Sequence, residues 1–498
     1  MSTGPIDAPA RRSIAADLDR TLFVEAGAGS GKTTALVGRI VALVRSGRAR
    51  LSEIAAITFT EAAASELRNR VREALEVEER SLRNAINPDL VALERCRAAL
   101  EDADTAAIST LHSFAQRVLS EHPIAVGIPP RVEVLDEVQS QLEFERRWSR
   151  FLDVLLERDD LADLLLRALL LDIKFNSRHR GLRSVATVFN ENWDRLDAMA
   201  QVTVDLPPLR WAPVLAGIEP LLRLRDECAD PADKLALRIE QDVEPLARRI
   251  RDAATDDERL RLVKLWPAPK VGGSGQKGNW LDVESARQRI TDANREVERF
   301  LSEAGDGVLR ALASEVARFT LGAADERRTE GRLEFHDLLV LARRLLREDA
   351  AARRSLHERY RRLLLDEFQD TDPIQIELAA LIASSTVGDG RAPAAWVDIA
   401  VDEGRLFFVG DPKQSIYRFR RASIETFSAA REAFGRGSPV TLRQNFRTVE
   451  PIVDFVNGLF GALIQEEPGR QPAYEPLVAD RSAVQGIDQR PVVFGGPH

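Results

Sequence analysis

Residues 26–34 read Ala-Gly-Ala-Gly-Ser-Gly-Lys-Thr-Thr. Glycines at alternate positions let backbone N–H groups curl around a phosphate chain, and the lysine and hydroxyl that follow supply a fixed cation and a Mg²⁺ ligand. The run is a P-loop with Ala26 where the strict pattern has its first glycine. Ala26, Gly27, Ala28, Gly29, Ser30, Gly31, Lys32, Thr33 and Thr34 are therefore the candidate nucleotide-binding residues. Lys32 can reach the β- and γ-phosphates, the Thr33 hydroxyl can ligate Mg²⁺, and a helix starting near Gly31 adds its positive end.

A second segment, Leu363-Leu364-Leu365-Asp366-Glu367, is an apolar strand that releases two carboxylates at its C-terminal end. Ligands bind open α/β sheets at that end. Asp366 is placed to hold Mg²⁺ as the acidic partner of the P-loop, and Glu367 to polarise the attacking water. Alone, such a strand end is as often merely solvated; the P-loop gives it a function. A third segment, Val409 to Arg420, again runs from a strand into a polar turn. Gln414 carries amide donors suited to a γ-phosphate. Tyr417 and Phe419 alternate with arginines at 418, 420 and 421, a pattern suited to stacking unpaired bases. Taken alone Phe419 reads as a core residue, but the arginines around it argue against a fully buried segment.

These residues need a scaffold. Short apolar runs at 21–24, 54–59, 107–110, 363–366, 406–410 and 440–442 read as strands. Helical patterns at 32–46, 61–77, 111–119 and 451–464 follow several of them, and residues 78–104 read as charged helix. This rhythm predicts an α/β fold with a parallel sheet. From about 136 to 330 the period turns helical and charge-rich, with loops at Pro207-Pro208 and 267–279, which predicts a helical insertion. Trp148, Trp193 and Trp211 are expected to pack within it. The tail from Glu466 reads as irregular. The expected organisation is 1–135 and 331–440 as two parts of one α/β domain, 136–330 as the insertion and 441–498 as the start of a second lobe.

Composition bounds the function. The chain has 498 residues, 44% hydrophobic and 30% charged, a prior for about three domains. Its net charge of −9 excludes a globally basic nucleic-acid coat, not a local basic groove. Two cysteines, Cys96 and Cys228, make neither a disulfide framework nor a zinc site. The start lacks an apolar signal segment, and no uncharged apolar run approaches the roughly 20 residues of a membrane span. A cytoplasmic protein with no membrane partner is expected.

In order along the chain, the P-loop, ITFTEAAASELRNRV (57–71), ISTLHSFAQRVL (108–119), GRLEFHDLL (331–339), LLLDEFQDTDPIQ (363–375), VGDPKQSIYRFR (409–420) and LRQNFRTVEPIVDFVN (442–457) together resemble the N-terminal ATP-binding part of UvrD/Rep-type superfamily 1 DNA helicases. DEFQDTDP with GDPKQSIYRFR leans toward the RecB/AddA branch. The resemblance implies a RecA-like P-loop fold, ATP and Mg²⁺ as cofactors, and 3′-to-5′ motor activity on DNA in repair and recombination. It implies Glu367, Gln414 and Arg447 as catalytic, the last as an arginine finger, and Thr60, His112, Tyr417 and Phe419 as DNA contacts. His112 reads equally as a core or capping residue. Four departures stand out. The family's adenine-reading glutamine has no match in residues 10–14, Ala62 and Arg421 replace a lysine and a glycine, and the last motor motifs are not found. Nor is a nuclease constellation recognisable. The partners implied are single-stranded and duplex DNA, with a nuclease, a second helicase subunit or a chain supplying the second motor lobe. The alternative is an ATP- and DNA-binding fragment or split subunit that does not unwind on its own. A P-loop kinase does not explain the segments after Gly410.

Overall fold

A computed structural model describes residues 4–203, 205–386, 392–416, 424–435, 439–467 and 470–483. The chain forms two compact units, Met1–Val134 with Leu333–His498, and Leu135–Arg332.

The first unit is built on six strands: β1 (Leu22–Ala26), β2 (Ile54–Thr58), β3 (Ala107–Thr110), β4 (Arg362–Leu365), β5 (Leu406–Gly410) and β6 (Val440–Leu442). Their order across the sheet is β3-β2-β4-β5-β1-β6, and every neighbouring pair is parallel. Parallel strands covered on both faces need side chains that are apolar in both directions, and β2 and β5 are buried at every position. On one face Val24, Ile54, Ala56, Ile108, Leu364, Phe407 and Val409 meet α1 (Ala8–Ala16), α2 (Lys32–Ser46), α3 (Glu61–Arg83) and α4 (Leu90–Asp102) through Ile14, Leu36, Ile40, Leu67 and Leu93. Alternation sends Phe23 and Phe408 to the other face, where they stack at 4.2 Å and gather Phe368 and Phe427. One ring of that cluster, Phe368, directly follows the Asp366-Glu367 pair in the chain.

Strands predicted from the sequence appear with ends shifted by one or two residues. Residues 78–104 are two helices rather than one, because Asp89 caps α4 after the break at Asn84. The tail expected to be irregular contains β8 (Val478–Arg481), which pairs in parallel with β7 (Gln444–Val449). The short, charged sequence of β8 hides its strand character, and only the partner reveals it. The helix Glu450–Leu463 connects β7 to β8.

The second unit is helical. Its spine is the 48-residue helix Val283–Glu330, about 72 Å long at 1.5 Å per residue. Ile290, Ala293, Val297 and Phe300 of the spine belong to a cluster with Trp211, Val214 and Ile239. Further along, Val308, Leu312 and Val316 meet Trp148, Leu155 and Leu164. Trp148 and Trp211 are therefore core residues, their indole N–H groups donating to Asn176 and Asp256. Trp193 is only half-buried. Arg147, also buried, is held by Glu326 at 3.1 Å and Glu330 at 2.9 Å. Among the described residues no helix is long and apolar enough to cross a membrane.

Candidate functional site

All strands run the same way, so the candidate residues emerge at one edge of the sheet. The P-loop leaves β1, the carboxylate pair leaves β4, and Gln414 follows β5, the strand between them. Order in the sheet, not order in the chain, makes these segments neighbours.

The P-loop is held as a fixed cradle. Ser30, fully buried, donates its hydroxyl to the Gly27 carbonyl at 2.7 Å. Gly29 has φ +71°, and a side chain there would meet Asn445 at 2.8 Å. Its carbonyl accepts from the Phe446 amide at 2.9 Å, while Asn445 donates to the Ala28 carbonyl at 2.8 Å. Asn445 also accepts from the amides of Arg447 and Thr448. Arg447 is exposed, and its Cβ lies close to Gly29, 3.0 Å from where a side chain there would begin.

Lys32 projects from the first turn of α2 and pairs with Glu367 Oε2 at 2.8 Å. Glu367 sits in the left-handed region at φ 49°, a strained conformation for a residue with a side chain. Burial raises the Glu367 carboxyl, but the Lys32 ammonium and the donors from Gln369 and Lys32 outweigh it, so it lies below the ordinary carboxylate range. Asp366 is the reverse case. Burial, then the charge of Glu367, pushes it up to about 6, against the amide of Glu367 and the charge of Lys32. Asp370 is raised by burial and by the same neighbour, and its Oδ1 is buried with no hydrogen-bond partner among the described residues.

Asp366 and Thr33 fit Mg²⁺. Both are hard oxygen donors, and Mg²⁺ in a phosphate site takes only one or two protein ligands. No group of three or more His, Cys, Asp or Glu that could cage a metal occurs among the described residues. Asp366 accepts the Glu367 amide at 2.9 Å through Oδ1, and a cation beside its raised carboxyl would favour the ionised form.

The nucleotide-free protein should carry a measurable cost at Asp366. Its folded pKa lies above the ordinary Asp value of 3.8, so the folded state binds the proton more tightly. Stability from this group is present near pH 4 and is lost as pH rises through about 6. Asp366→Asn should therefore raise the melting temperature in EDTA at pH 7.5 by a few degrees, with the two curves converging near pH 4. A variant no more stable than the parent at pH 7.5 would remove the buried-charge account.

Thr60 and His112 lie further along the same edge, past β2 and β3, whose ends pair Thr58 with Thr110. Thr60 is exposed and caps α3, accepting from the Ala63 amide at 3.1 Å. His112 is half-buried, in the first turn of α5 (Leu111–Glu121), and meets the exposed Phe335 ring edge-on. Glu61 ties the two helix starts together, accepting from Thr110 at 2.6 Å and Ser113 at 2.7 Å. Those donors lead in holding the Glu61 carboxyl below its ordinary range. Tyr417 and Phe419 lie outside the described residues.

The structure also brings in residues that the sequence did not single out. Asp7 pairs with Arg11 at 2.7 Å and accepts the amides of Arg443 and Gln444. Burial raises Asp7, but these donors outweigh it and leave it below its ordinary value. Arg11 donates to the Ser30 carbonyl at 2.8 Å and lies over the Phe446 ring at 4.9 Å. A guanidinium thus stands beside the P-loop close to where the family's adenine-reading glutamine finds no match. Gln369 and Asp411 connect the carboxylate strand to the Gln414 turn. Local sequence carries no signal for contacts 42 residues apart, as Gln369–Asp411 is, still less for those more than 400 apart, as Asp7–Arg443 is.

Residues 7–435 match the UvrD/REP helicase N-terminal domain family. Over 511 residues the chain is 28% identical to the A subunit of an ATP-dependent helicase/nuclease from Bacillus licheniformis, covering 90% of this chain and 39% of that protein. A protein of the same name from Pelotomaculum thermopropionicum is 27% identical over 95% of this chain and 40% of its own length, and one from Pediococcus pentosaceus is 24% identical over 90% and 38%. The chain spans about two fifths of the length of these relatives. With the family match running from the P-loop through the Gln414 turn, this chain belongs to the UvrD/REP helicase N-terminal domain family.

Proposed function

We propose that this chain binds and hydrolyses ATP with Mg²⁺ and uses the cycle to move along DNA, as the front part of a 3′-to-5′ helicase motor in DNA repair and recombination. The observation that carries the reading is the Lys32–Glu367 pair of 2.8 Å at the C-terminal edge of a parallel sheet, with the Cβ of Arg447 beside Gly29 of the same loop. Incoming phosphates compete with Glu367 for the Lys32 ammonium. Once Lys32 turns to phosphate, the Glu367 carboxylate is free to take a proton from water in line with the γ-phosphate. Thr33 and Asp366 would hold Mg²⁺, which supplies charge neutralisation on the phosphates. Arg447 and Gln414 meet the transferred group from other sides. The test is ATP turnover of the purified chain with and without single-stranded DNA. Turnover that rises with DNA supports the motor, and a folded chain that does not hydrolyse ATP sinks it.

Thr60, His112, Tyr417 and Phe419 form the DNA track in this reading. Tyr417→Ala and Phe419→Ala should each weaken single-stranded DNA binding by about 1–3 kcal/mol, alike on mixed and homopolymer strands, with nucleotide affinity unchanged. Binding should also fall steeply with salt despite the acidic chain. Parental affinity in a folded double mutant would remove the DNA reading and leave an ATPase.

A second reading, an ATP- and DNA-binding part that needs a further lobe before it unwinds, is favoured by residues 444–481. Among the described residues β7 and β8 make a two-stranded parallel pair. The connecting helix leaves Ile452, Phe455, Leu459, Phe460 and Leu463 exposed along one stripe. Parallel sheets are normally covered on both faces. Relatives whose names join a helicase with a nuclease suggest that a nuclease accompanies this part. Duplex unwinding by the chain alone would overturn this second reading.

A further inference from the structure

We propose that Gln369 is a positioning residue that holds the Glu367 carboxylate in line and couples it to the turn bearing Gln414. The inference rests on the ATPase reading above. Gln369 lies in the one-turn helix Phe368–Asp370 and is 3% exposed. Its Nε2 donates to Glu367 Oε2 at 2.9 Å and to Asp370 Oδ2 at 3.2 Å. Its Oε1 accepts the Asp411 amide at 2.9 Å. The orientation of the side-chain amide is fixed by these partners: a carboxylate only accepts and a backbone N–H only donates, so a flipped amide would lose both bonds.

The connection continues beyond Asp411. Its Oδ2 accepts from Gln414 Nε2 at 2.8 Å, and its Oδ1 accepts the Lys413 amide at 3.2 Å. Ser415 donates its hydroxyl to the Gln369 carbonyl at 3.2 Å. Two further features keep the bridge rigid. Phe368 is locked in the aromatic cluster against Phe408 and Phe427. Gly410 allows the close approach, since a Cβ there would stand 2.6 Å from Gln369 Oε1. The result is an unbroken path Lys32–Glu367–Gln369–Asp411–Gln414.

The path has a consequence for catalysis. When phosphate takes Lys32, Glu367 loses its cation, and the Gln369 amide is what still restrains the carboxylate. Any shift of the Gln414 turn moves Asp411, which Gln414 and Gln369 both bond, and with it the base. Gln369 therefore lets events at the turn gate hydrolysis without touching substrate itself.

Three variants decide the matter, with kcat, KM for ATP, the rate ratio with and without single-stranded DNA, and a melting curve for each. Gln369→Leu removes both bonds. Gln369→Asn keeps both groups one methylene short. Gln369→Glu keeps an acceptor for the Asp411 amide and loses the donor to Glu367. We expect Gln369→Leu and Gln369→Glu to lower kcat by roughly 10²-fold, the scale for a misplaced reacting group, with KM close to parental and the DNA-dependent increase abolished. Gln369→Asn should recover part of both. A folded Gln369→Leu with parental kcat and DNA response would overturn the proposal. So would a Gln369→Glu that restores both, because the residue would then only brace Asp411. If Gln369→Leu fails to fold, Gln369→Glu carries the decision alone. A parent that shows no turnover sinks the ATPase reading and this inference with it, whereas an active parent with indifferent variants sinks only the inference.

Discussion

Glu367→Gln is expected to lower the rate of ATP hydrolysis by about 10²–10⁴-fold, the usual contribution of a general base, while ATP and Mg²⁺ still bind. The amide has the shape of the carboxylate and none of its basicity. Its oxygen can still accept from Lys32 Nζ, which lies 2.8 Å from Oε2, so the cradle should keep its geometry. Nucleotide affinity should hold or tighten, because the phosphates no longer compete with a carboxylate for the Lys32 ammonium. Equilibrium binding of a fluorescent ATP analogue, with single-turnover hydrolysis beside it, separates the two effects. A parental hydrolysis rate would make Glu367 a surface carboxylate and end the proposed mechanism.

Lys32→Ala should act one step earlier. It removes the fixed cation from the β- and γ-phosphates, and turnover should fall at least roughly 10²-fold, the scale for losing one preorganised donor in an active site. Unlike Glu367→Gln, it should also weaken ATP binding. It leaves Glu367 without its ion pair while the carboxyl stays half-buried, so burial is then opposed by the Gln369 donor and not by Lys32. The carboxyl should rise, and the acid limb of any residual activity should move to higher pH. Unchanged ATP affinity and unchanged turnover in a folded variant would remove the phosphate assignment.

Much of this site is written locally. A Gly-rich turn between a strand and a helix, and three leucines before Asp366-Glu367, each state their chemistry within a dozen residues. The phosphate cradle depends on backbone freedom at glycines, and buried parallel strands depend on continuous apolar runs. Both are properties of neighbouring residues. The helical character of 136–330 was readable for the same reason, since a 3.6-residue period is local.

Contacts set by strand order were not readable. β5 lies between β1 and β4 although it comes last of the three in the chain, and this lets Gln369 join Glu367 to Asp411 and, through it, to Gln414. Arg447 reaches the P-loop because Asn445 and Phe446 bond to the carbonyls of Ala28 and Gly29. Arg11 reaches Ser30 only because Asp7 is anchored by the amides of Arg443 and Gln444. β8 is short and charged, and becomes a strand only beside β7.

By itself, then, the sequence determined which chemical groups this protein carries, which strands deliver them to a sheet edge and which family it resembles. Only the tertiary structure decided which of those groups touch: that Lys32 rests on Glu367, that Asp366 is buried enough to rise to about 6, and that Gln369 joins two motifs through one oriented amide. The physical reason is range. Helix, turn and strand preferences arise from residues a few positions apart, whereas ion pairs, desolvation and hydrogen-bond direction depend on distances of roughly 3 to 4 Å between atoms. Chain separation says nothing of those distances until the sheet is assembled.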